Sequence, residues 1–496
     1  MRIIQLFYGN LYDDGVGNTV QTIDRQLKSM GYDAEILNSW ITPDMLTNRY
    51  FAPDDVILYQ YSVRMDPLLQ YVNCKKVLVF HNITYPELLY GFNIDNLRMD
   101  CECGLYELDS TKNLFPKAIV FSEFSKNTLI SHGWKEENIF SLSIMIKADL
   151  FKDTPDKNVI EKYKGKSTNI LFTGRIFPNK KQEDIIRAFH VYKNKYNKNS
   201  KLFLVGPVKC DDYSDYLKNL THKLGLDDDV IFSGFVSWSE YLAYYKAADL
   251  FLCMSAHEGF CIPLLESMFM QVPILAINET AIPYTLGDGG LILENREPAY
   301  VADMMNKVLS DNELKNDMIN KGNLRFRYLT EEAGDKKWED ALNTILLEIS
   351  KEKNLFNPVP ESVLWKHKEK QTDIPDFLSS RSSKKIILYG FGAKGQELLR
   401  NDGNRLNIVA ICDKNINTVN TANIPDNIDL LNIKDSVSKY PEACYIITVQ
   451  NRAALVQIAA NIINCGVNSS DIFIYESDER RIFRSEDHTS ELQSRS

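Results

Sequence analysis

The sequence predicts an α/β chain of doubly wound parallel sheets, two in series and a third, smaller one behind them. Three observations carry that expectation. Short β-rich apolar runs alternate with longer stretches of helical period; the runs fall into two series separated by a polar stretch; and a strand, glycine turn, helix, strand pattern restarts near residue 384. At 496 residues, and with about 150 residues to a domain, three units are expected. The 44% hydrophobic and 25% charged content is that of a globular chain. A net charge of -10, from 57 basic and 67 acidic side chains, argues against a nucleic-acid partner, because neutralising many phosphates needs an excess of Lys and Arg. A local basic pocket for one diphosphate remains compatible with it.

The opening MRIIQLFYGN reads as a buried first strand, since it lacks the long apolar stretch and cleavage site of a signal peptide. No window approaches the ~20 apolar residues of a spanning helix, so any membrane contact is expected to be peripheral, at the inner face of the cell membrane. Nine cysteines, an odd count scattered from Cys74 to Cys465, read as reduced thiols and point to a cytoplasmic location. Cys101 and Cys103 form a lone CxC without a partner pair or a His at metal spacing, and read as core.

The first series of strands is IIQLFY (3–8), VILYQY (56–61), KVLVFH (76–81) and AIVFS (118–122), which gives a first domain over 1–160. FKDTPDKNVIEKYKGKST is polar, contains Pro and Gly, and marks an interdomain hinge near 150–168. The second series is NILFTG (169–174), KLFLVG (201–206), VIFSGF (230–235), LFLCMS (250–255) and PILAI (273–277), in a domain over 161–330. Residues 351–383 mix Pro, charge and Ser and read as a linker; 384–478 form the third unit. The segment from Arg484 to Ser496 reads as the translation of a sequencing-adapter oligonucleotide and is set aside, so the natural end of the chain is not given by this sequence.

The strongest chemical signal is HEGFCIPLLESM, which follows a strand and opens a helix, with Glu258 in the loop and Glu266 inside the helix. In doubly wound sheets ligands bind beyond the carboxyl ends of the strands, where helix N-termini present N–H groups to phosphate. A carboxylate there can accept two hydrogen bonds from a diol, although two solvated Glu residues at a helix start would look the same. Earlier, TGRIFPNKKQEDIIRAF sets Arg175 and Lys180 after another strand end, a pairing suited to pyrophosphate: a fork and a point charge. Lys181 adjoins Lys180, so the spacing alone does not choose between them. In the first half, DDGVGNTV puts Gly15 and Gly17 in a turn before a helix, and VLVFHNIT puts His81 at a strand end. The acidic runs Asp211–Asp212 and Asp227–Asp229 read as turn and cap residues, so no metal site is expected.

From GRIFPNK through LFLVG, VIFSGFVS, YYKAADLFLCMS and HEGFCIPLLESM to AIPYTLGDGGLIL, residues 169–293 resemble glycosyltransferase family 4 (group 1). The resemblance implies a GT-B architecture: two doubly wound Rossmann-like domains facing a cleft, the first on the acceptor side and the second binding a nucleotide sugar. It implies that Arg175 and Lys180 bind the diphosphate, that Glu258 contacts the donor sugar, that Glu266 holds the ribose hydroxyls and that Phe235 lies near the base. Gly15 and Gly17 would border the cleft on the donor and His81 would face it. Helix 331–350 would pack back onto the first domain. One departure is Tyr284, where many relatives carry Glu after AIP.

The activity so implied is metal-independent transfer, with retention, from a UDP- or GDP-sugar to a saccharide or polyprenyl-linked saccharide acceptor, in bacterial surface polysaccharide synthesis and with no added cofactor. A GT-B epimerase or phosphorylase and a sugar-nucleotide-binding scaffold are the alternatives. In the third unit, LYGFGAKGQELL sets Gly390, Gly392 and Gly395 in GxGxxG spacing between strand and helix, with Asp413 ending the next strand. That context predicts a small Rossmann-like fold and a second nucleotide site, or a module that docks partners and binds nothing.

Overall fold

The computed structural model describes residues 2–9, 15–144, 151–332, 335–359, 372–373, 384–403, 405–413, 424–425, 427–449, 458, 461–463, 465–468, 471–476 and 481–484. The chain divides into two units, Met1–Asn357 and Pro358–Ser496.

The first unit holds two six-stranded parallel sheets. One comprises β1 (Arg2–Leu6), β2 (Asp33–Leu37), β3 (Val56–Tyr61), β4 (Lys75–Phe80), β5 (Lys117–Val120) and β6 (Ile139–Ser141) in the order β2-β1-β3-β4-β5-β6. The other comprises β7 (Thr168–Thr173), β8 (Ser200–Val205), β9 (Val230–Gly234), β10 (Leu250–Cys253), β11 (Ile274–Ile277) and β12 (Leu291–Leu293) in the order β12-β11-β10-β7-β8-β9. In the second, the strand order reverses between β7 and β10, the arrangement of a Rossmann sheet.

Helices α1 (Gly15–Ser29), α2 (Pro43–Thr47), α3 (Asp95–Thr111) and α4 (Glu123–Ser131) accompany the first sheet. With the second run α5 (Lys157–Tyr163), α6 (Gln182–Lys195), α7 (Asp211–Lys223), α8 (Trp238–Ala247), α9 (Ile262–Phe269), α10 (Ile282–Leu286), α11 (Pro298–Ser310) and α12 (Asn312–Glu332). The period of two along the first sheet buries both of its faces. Ile4, Ile57, Leu78 and Val120 join one core, while Ile3, Leu58, Val79 and Ile119 join another with Ile23 and Leu27 of α1.

That second core is closed by α13 (Asp335–Ser350), which follows the second sheet in sequence but packs on the first. Trp338, Leu342, Ile345 and Ile349, spaced four, three and four, form one fully buried stripe, and the Trp338 indole donates to Ser143 O at 3.0 Å. Beyond it, the start of the stretch read as a linker is held at Leu355 and Asn357, and most of 360–383 lies outside the described residues. Lys76, buried beneath it, donates to Val72 O at 2.6 Å and Leu355 O at 2.7 Å, and Asn357 N donates to Gln70 O at 2.7 Å.

Within the stretch read as a hinge lies α5, not expected from the sequence and capped by Asp156 accepting from Val159 N at 2.9 Å. Strands β2, β6 and β12 were not expected from the sequence. All three are short, and each lies at a sheet edge, where little apolar alternation is required.

The second unit has a seven-stranded sheet. Its strands are β13 (Thr372–Asp373), β14 (Ile386–Tyr389), β15 (Ile408–Cys412), β16 (Asp429–Leu431), β17 (Cys444–Ile447), β18 (Ile472–Glu476) and β19 (Arg481–Arg484). Among the described helices are α14 (Ala393–Asp402) and α15 (Ile433–Lys439). The order is β13-β19-β18-β17-β14-β15-β16, with β19 antiparallel to both neighbours, so strands join it on either side of the 384–478 stretch. Arg484 ends β19, and the rest of the segment read as an adapter translation lies outside the described residues.

Candidate functional site

The candidate residues of the second sheet gather where its strand order reverses. β7 leads through Gly174 and Arg175 into a 3-10 turn, Pro178–Lys180, and then into α6; β10 leads through His257, Glu258 and Gly259 into α9. The β8 loop runs against the Arg175 loop so closely that a Cβ on Gly206 would lie 2.2 Å from Gly174 O. Only glycine fits, and Gly206 holds φ +147° there.

The two loops are stitched together. Asn179 donates through its amide to His257 O at 3.0 Å and accepts from Ala256 N at 2.8 Å. Lys180 Nζ lies 2.6 Å from Glu258 Oε1, with both side chains largely buried. The next residue turns elsewhere, since Lys181 pairs with Glu183 at 3.5 Å. The structure therefore separates two lysines that sequence spacing does not. Arg175 is half-buried, stacks its guanidinium 5.0 Å above Phe177, and pairs with no carboxylate among the described residues. Arg296 braces the β10 loop from below, reaching Asp184 at 3.3 Å and Glu279 at 3.4 Å and donating to Met254 O.

Glu266 lies one turn into α9 and faces α8. Tyr241 and Tyr245 donate to its Oε2 at 2.6 and 2.9 Å. Burial raises the Glu266 carboxyl above its ordinary range, and these two hydrogen bonds oppose that rise in part.

Across the cleft, His81 ends a chain of side-chain amides. Gln5 Nε2 donates to Val20 O at 2.9 Å, which orients the Gln5 amide; Gln60 Nε2 then donates to Gln5 Oε1 at 3.0 Å. Gln60 Oε1 is left to face His81 Nε2 at 2.7 Å, so the imidazole carries its proton on Nε2. Burial pushes His81 down to about 3, which keeps the ring neutral and Nδ1 a lone-pair acceptor.

The two halves meet at this place. A Cβ on Gly259 would lie 2.4 Å from His81 O, so the Glu258 loop touches the end of β4 directly. His257, 3% exposed, accepts from Tyr85 N at Nδ1 (3.2 Å) and lies 3.2 Å from Asn82 Oδ1 at Nε2. Burial pushes it down to about 4. Nearby, Asn93 N donates to Asp212 Oδ2 at 3.1 Å and Phe92 packs edge-on against Tyr213.

Gly15 and Gly17 lie in the first turn of α1, and a Cβ on Gly15 would contact Ile262 at 3.5 Å, so the N-termini of α1 and α9 approach each other. Residues 10–14 ahead of them lie outside the described residues. Phe235 follows β9 and is 79% exposed, without a ring contact among the described residues. The acidic runs act as helix starts and ion-pair partners: Asp211 and Asp212 open α7, and Asp229 pairs with Lys193 and Lys201.

In the second unit Gly390 follows β14, Gly392 caps α14, Gly395 lies in its first turn, and Asp413 follows β15. Asp413 Oδ2 accepts from Phe391 N at 2.9 Å, so this carboxylate holds the glycine turn itself.

Sequence reasoning missed Tyr241, Tyr245, Gln5, Gln60, His257 and Arg296. A signal existed for the tyrosines: two hydroxyl-bearing residues four apart, behind the capping box that Ser237 and Glu240 form.

Residues 153–325 match the family model for glycosyl transferases group 1. O-antigen chain mannosyltransferase B of Escherichia coli is 26% identical over 225 residues, 44% of this chain and 57% of that protein. A GDP-mannose-dependent alpha-(1-6)-phosphatidylinositol monomannoside mannosyltransferase of Mycobacterium tuberculosis is 28% identical over 156 residues, 30% of this chain and 40% of that protein. The chain thus spans little more than half the length of the curated relatives it matches, or less. Among solved structures, sucrose-phosphate synthase of Thermosynechococcus elongatus aligns with a TM-score of 0.56 at 15% identity, over 70% of this chain and 100% of that one. HepE of Anabaena in complex with UDP and glucose aligns with a TM-score of 0.55 at 15% identity, over the same 70% and 100%. The likeness is one of fold: the two Rossmann-like sheets of the first unit in a GT-B arrangement.

Proposed function

We propose that this chain is a retaining glycosyltransferase that moves a sugar from a UDP- or GDP-sugar to a saccharide or polyprenyl-linked saccharide acceptor, in bacterial surface polysaccharide synthesis. The observation that carries the reading is the Lys180–Glu258 pair at the reversal point of the second sheet, with Arg175 on the same loop. The group 1 match over 153–325 spans both loops and supports it. So does the reduced set of charges: two cations for a diphosphate, and a carboxylate partnered by one of them.

In this reading the bond from the sugar C1 to the diphosphate oxygen breaks through an oxocarbenium-like state. Developing charge on the diphosphate is met by Arg175, Lys180 and the N–H groups at the start of α9, stabilisation that grows as the charge does. The acceptor hydroxyl attacks C1 from the same face and passes its proton to the leaving diphosphate. Glu258 orients the donor sugar and the Lys180 ammonium; Glu266 accepts from the ribose hydroxyls; neutral His81 offers Nδ1 to a sugar hydroxyl. Contact of the halves around Gly259 excludes water from the sugar. These steps draw on no metal. Cytoplasmic residence and peripheral membrane contact belong to the same proposal. For the second unit we propose a nucleotide at the Gly390–Gly395 turn, where the ribose would share Asp413 with Phe391 N.

A panel of nucleotide sugars headed by GDP-mannose and UDP-glucose tests the reading on the full chain, through thermal shift and nucleotide release. One donor should stabilise the protein, and Arg175→Ala should lower turnover by about 100-fold or more. Binding without turnover on any acceptor would favour the scaffold, and no binding by the first unit would remove the reading altogether.

A further inference from the structure

The Glu266 carboxylate is engaged on one oxygen only. Both phenols of α8 donate to Oε2, and Oε1 accepts no hydrogen bond among the described residues. Tyr245 oxygen also lies 2.7 Å from Thr173 Oγ1. Because Tyr245 gives its single proton to Glu266, the Thr173 hydroxyl donates in turn to Tyr245, and a directed chain runs from the end of β7 to the carboxylate. Tyr241 and Tyr245 are one helical turn apart on α8, whose start is fixed by the Ser237–Glu240 capping box. Burial pushes both phenols up, so they remain donors.

The arrangement opposes what the surroundings favour. Taking the carboxylate out of water favours its protonated form, in which the proton would occupy an oxygen needed to accept hydrogen bonds. The groups facing it are few. α8 contributes the two phenols and β7 the uncharged Thr173, while α12, packed against α9, adds no charge that moves it.

We infer that Tyr241 and Tyr245 are positioning residues for donor binding: by saturating Oε2 they keep Glu266 ionised and leave Oε1 as the acceptor for the ribose hydroxyls of a nucleoside diphosphate. The inference rests on the reading that Glu266 holds the ribose. Neither tyrosine touches the donor; both act through Glu266.

The test uses the full chain with GDP, UDP and 2′-deoxy-GDP or 2′-deoxy-UDP as probes, titrated from pH 5 to 8 on wild type, Glu266→Gln, Tyr241→Phe, Tyr245→Phe and the double Phe variant. Phenylalanine keeps the ring packing, and unfolding temperatures of the variants check it. Wild type should bind one nucleotide and prefer it to the 2′-deoxy form by about tenfold, the scale of one hydrogen bond to a charged group. Each single variant should weaken binding at pH 7 by roughly 3- to 10-fold. The acid limb of the affinity profile should move to higher pH in the double variant, because two hydrogen bonds that favour the charged form are gone. Preference for the ribose form should shrink in the double variant and in Glu266→Gln. If folded tyrosine variants keep both the wild-type limb and the wild-type preference while Glu266→Gln loses them, the inference falls and the ribose reading stands. If wild type binds neither nucleotide, or Glu266→Gln keeps the preference, both fall.

Discussion

Lys180 and Glu258 form an ion pair that is nearly out of water, 2.6 Å apart with side chains 14% and 11% exposed. A pair of this kind contributes little net stability, but removing one partner strands the other. Glu258→Ala should therefore lower unfolding stability by about 3 kcal/mol, and adding Lys180→Ala should restore a large part of it. Denaturant titrations of the two single variants and the double variant check this; additive losses would mean that the two side chains do not share one buried environment. The same residue scale shows what the sequence made legible. Glu258, Lys180 and Arg175 stood out because charge directly after a buried strand has few structural uses. Tyr241 and Tyr245 did not, because tyrosine in an apolar helix reads as core, and only the direction of its hydroxyl says otherwise. Gln5 and Gln60 were hidden for the opposite reason: a polar residue inside a strand of the first sheet looks like a lapse in alternation until its partners are seen.

Among elements, α13 holds the sharpest prediction. It is the last helix of the first unit, yet its apolar stripe completes the core of the first sheet, and Trp338 at its centre is fully buried. Trp338→Ala should cost about 3–5 kcal/mol, and the loss should appear in the unfolding of the first sheet. Hydrogen exchange resolves this: amides of β1, β3 and β4 should lose protection, while those of β7 and β8 keep theirs. The long interior strands were readable from their unbroken apolar runs. The edge strands were not, because β2, DAEIL, is a charged and half-exposed segment whose pairing with β1 comes from its neighbours. α5 was missed because a Pro, a Gly and several lysines resemble a linker, and its helix depends on the Asp156 cap and on packing against α8.

For the whole molecule, two neutral histidines at the contact of the halves tie stability to pH. Burial holds His81 down to about 3 and His257 down to about 4, against about 6.5 for an unfolded histidine. The unfolded chain therefore takes up these protons first. The contribution is fully present above pH 6.5 and is lost as pH falls through 4 toward 3, by on the order of several kcal/mol for the pair. The unfolding temperature should drop across that window, and His257→Gln should flatten the fall; an unchanged slope would mean that His257 is not buried neutral at the contact of the halves. The comparison with glycosyltransferase structures and the two parallel sheets agree on the architecture at this scale, which the alternation of strands and helices had already made legible. The course of the chain adds one consequence for synthesis. The strands of the first sheet are complete by Ser141, but the helix that covers one of its faces begins at Asp335, roughly 200 residues later. At about 5–20 residues per second, a ribosome would leave the part of that apolar face not covered by α1 exposed for roughly 10–40 s, so the nascent chain should depend on a holding chaperone in that interval.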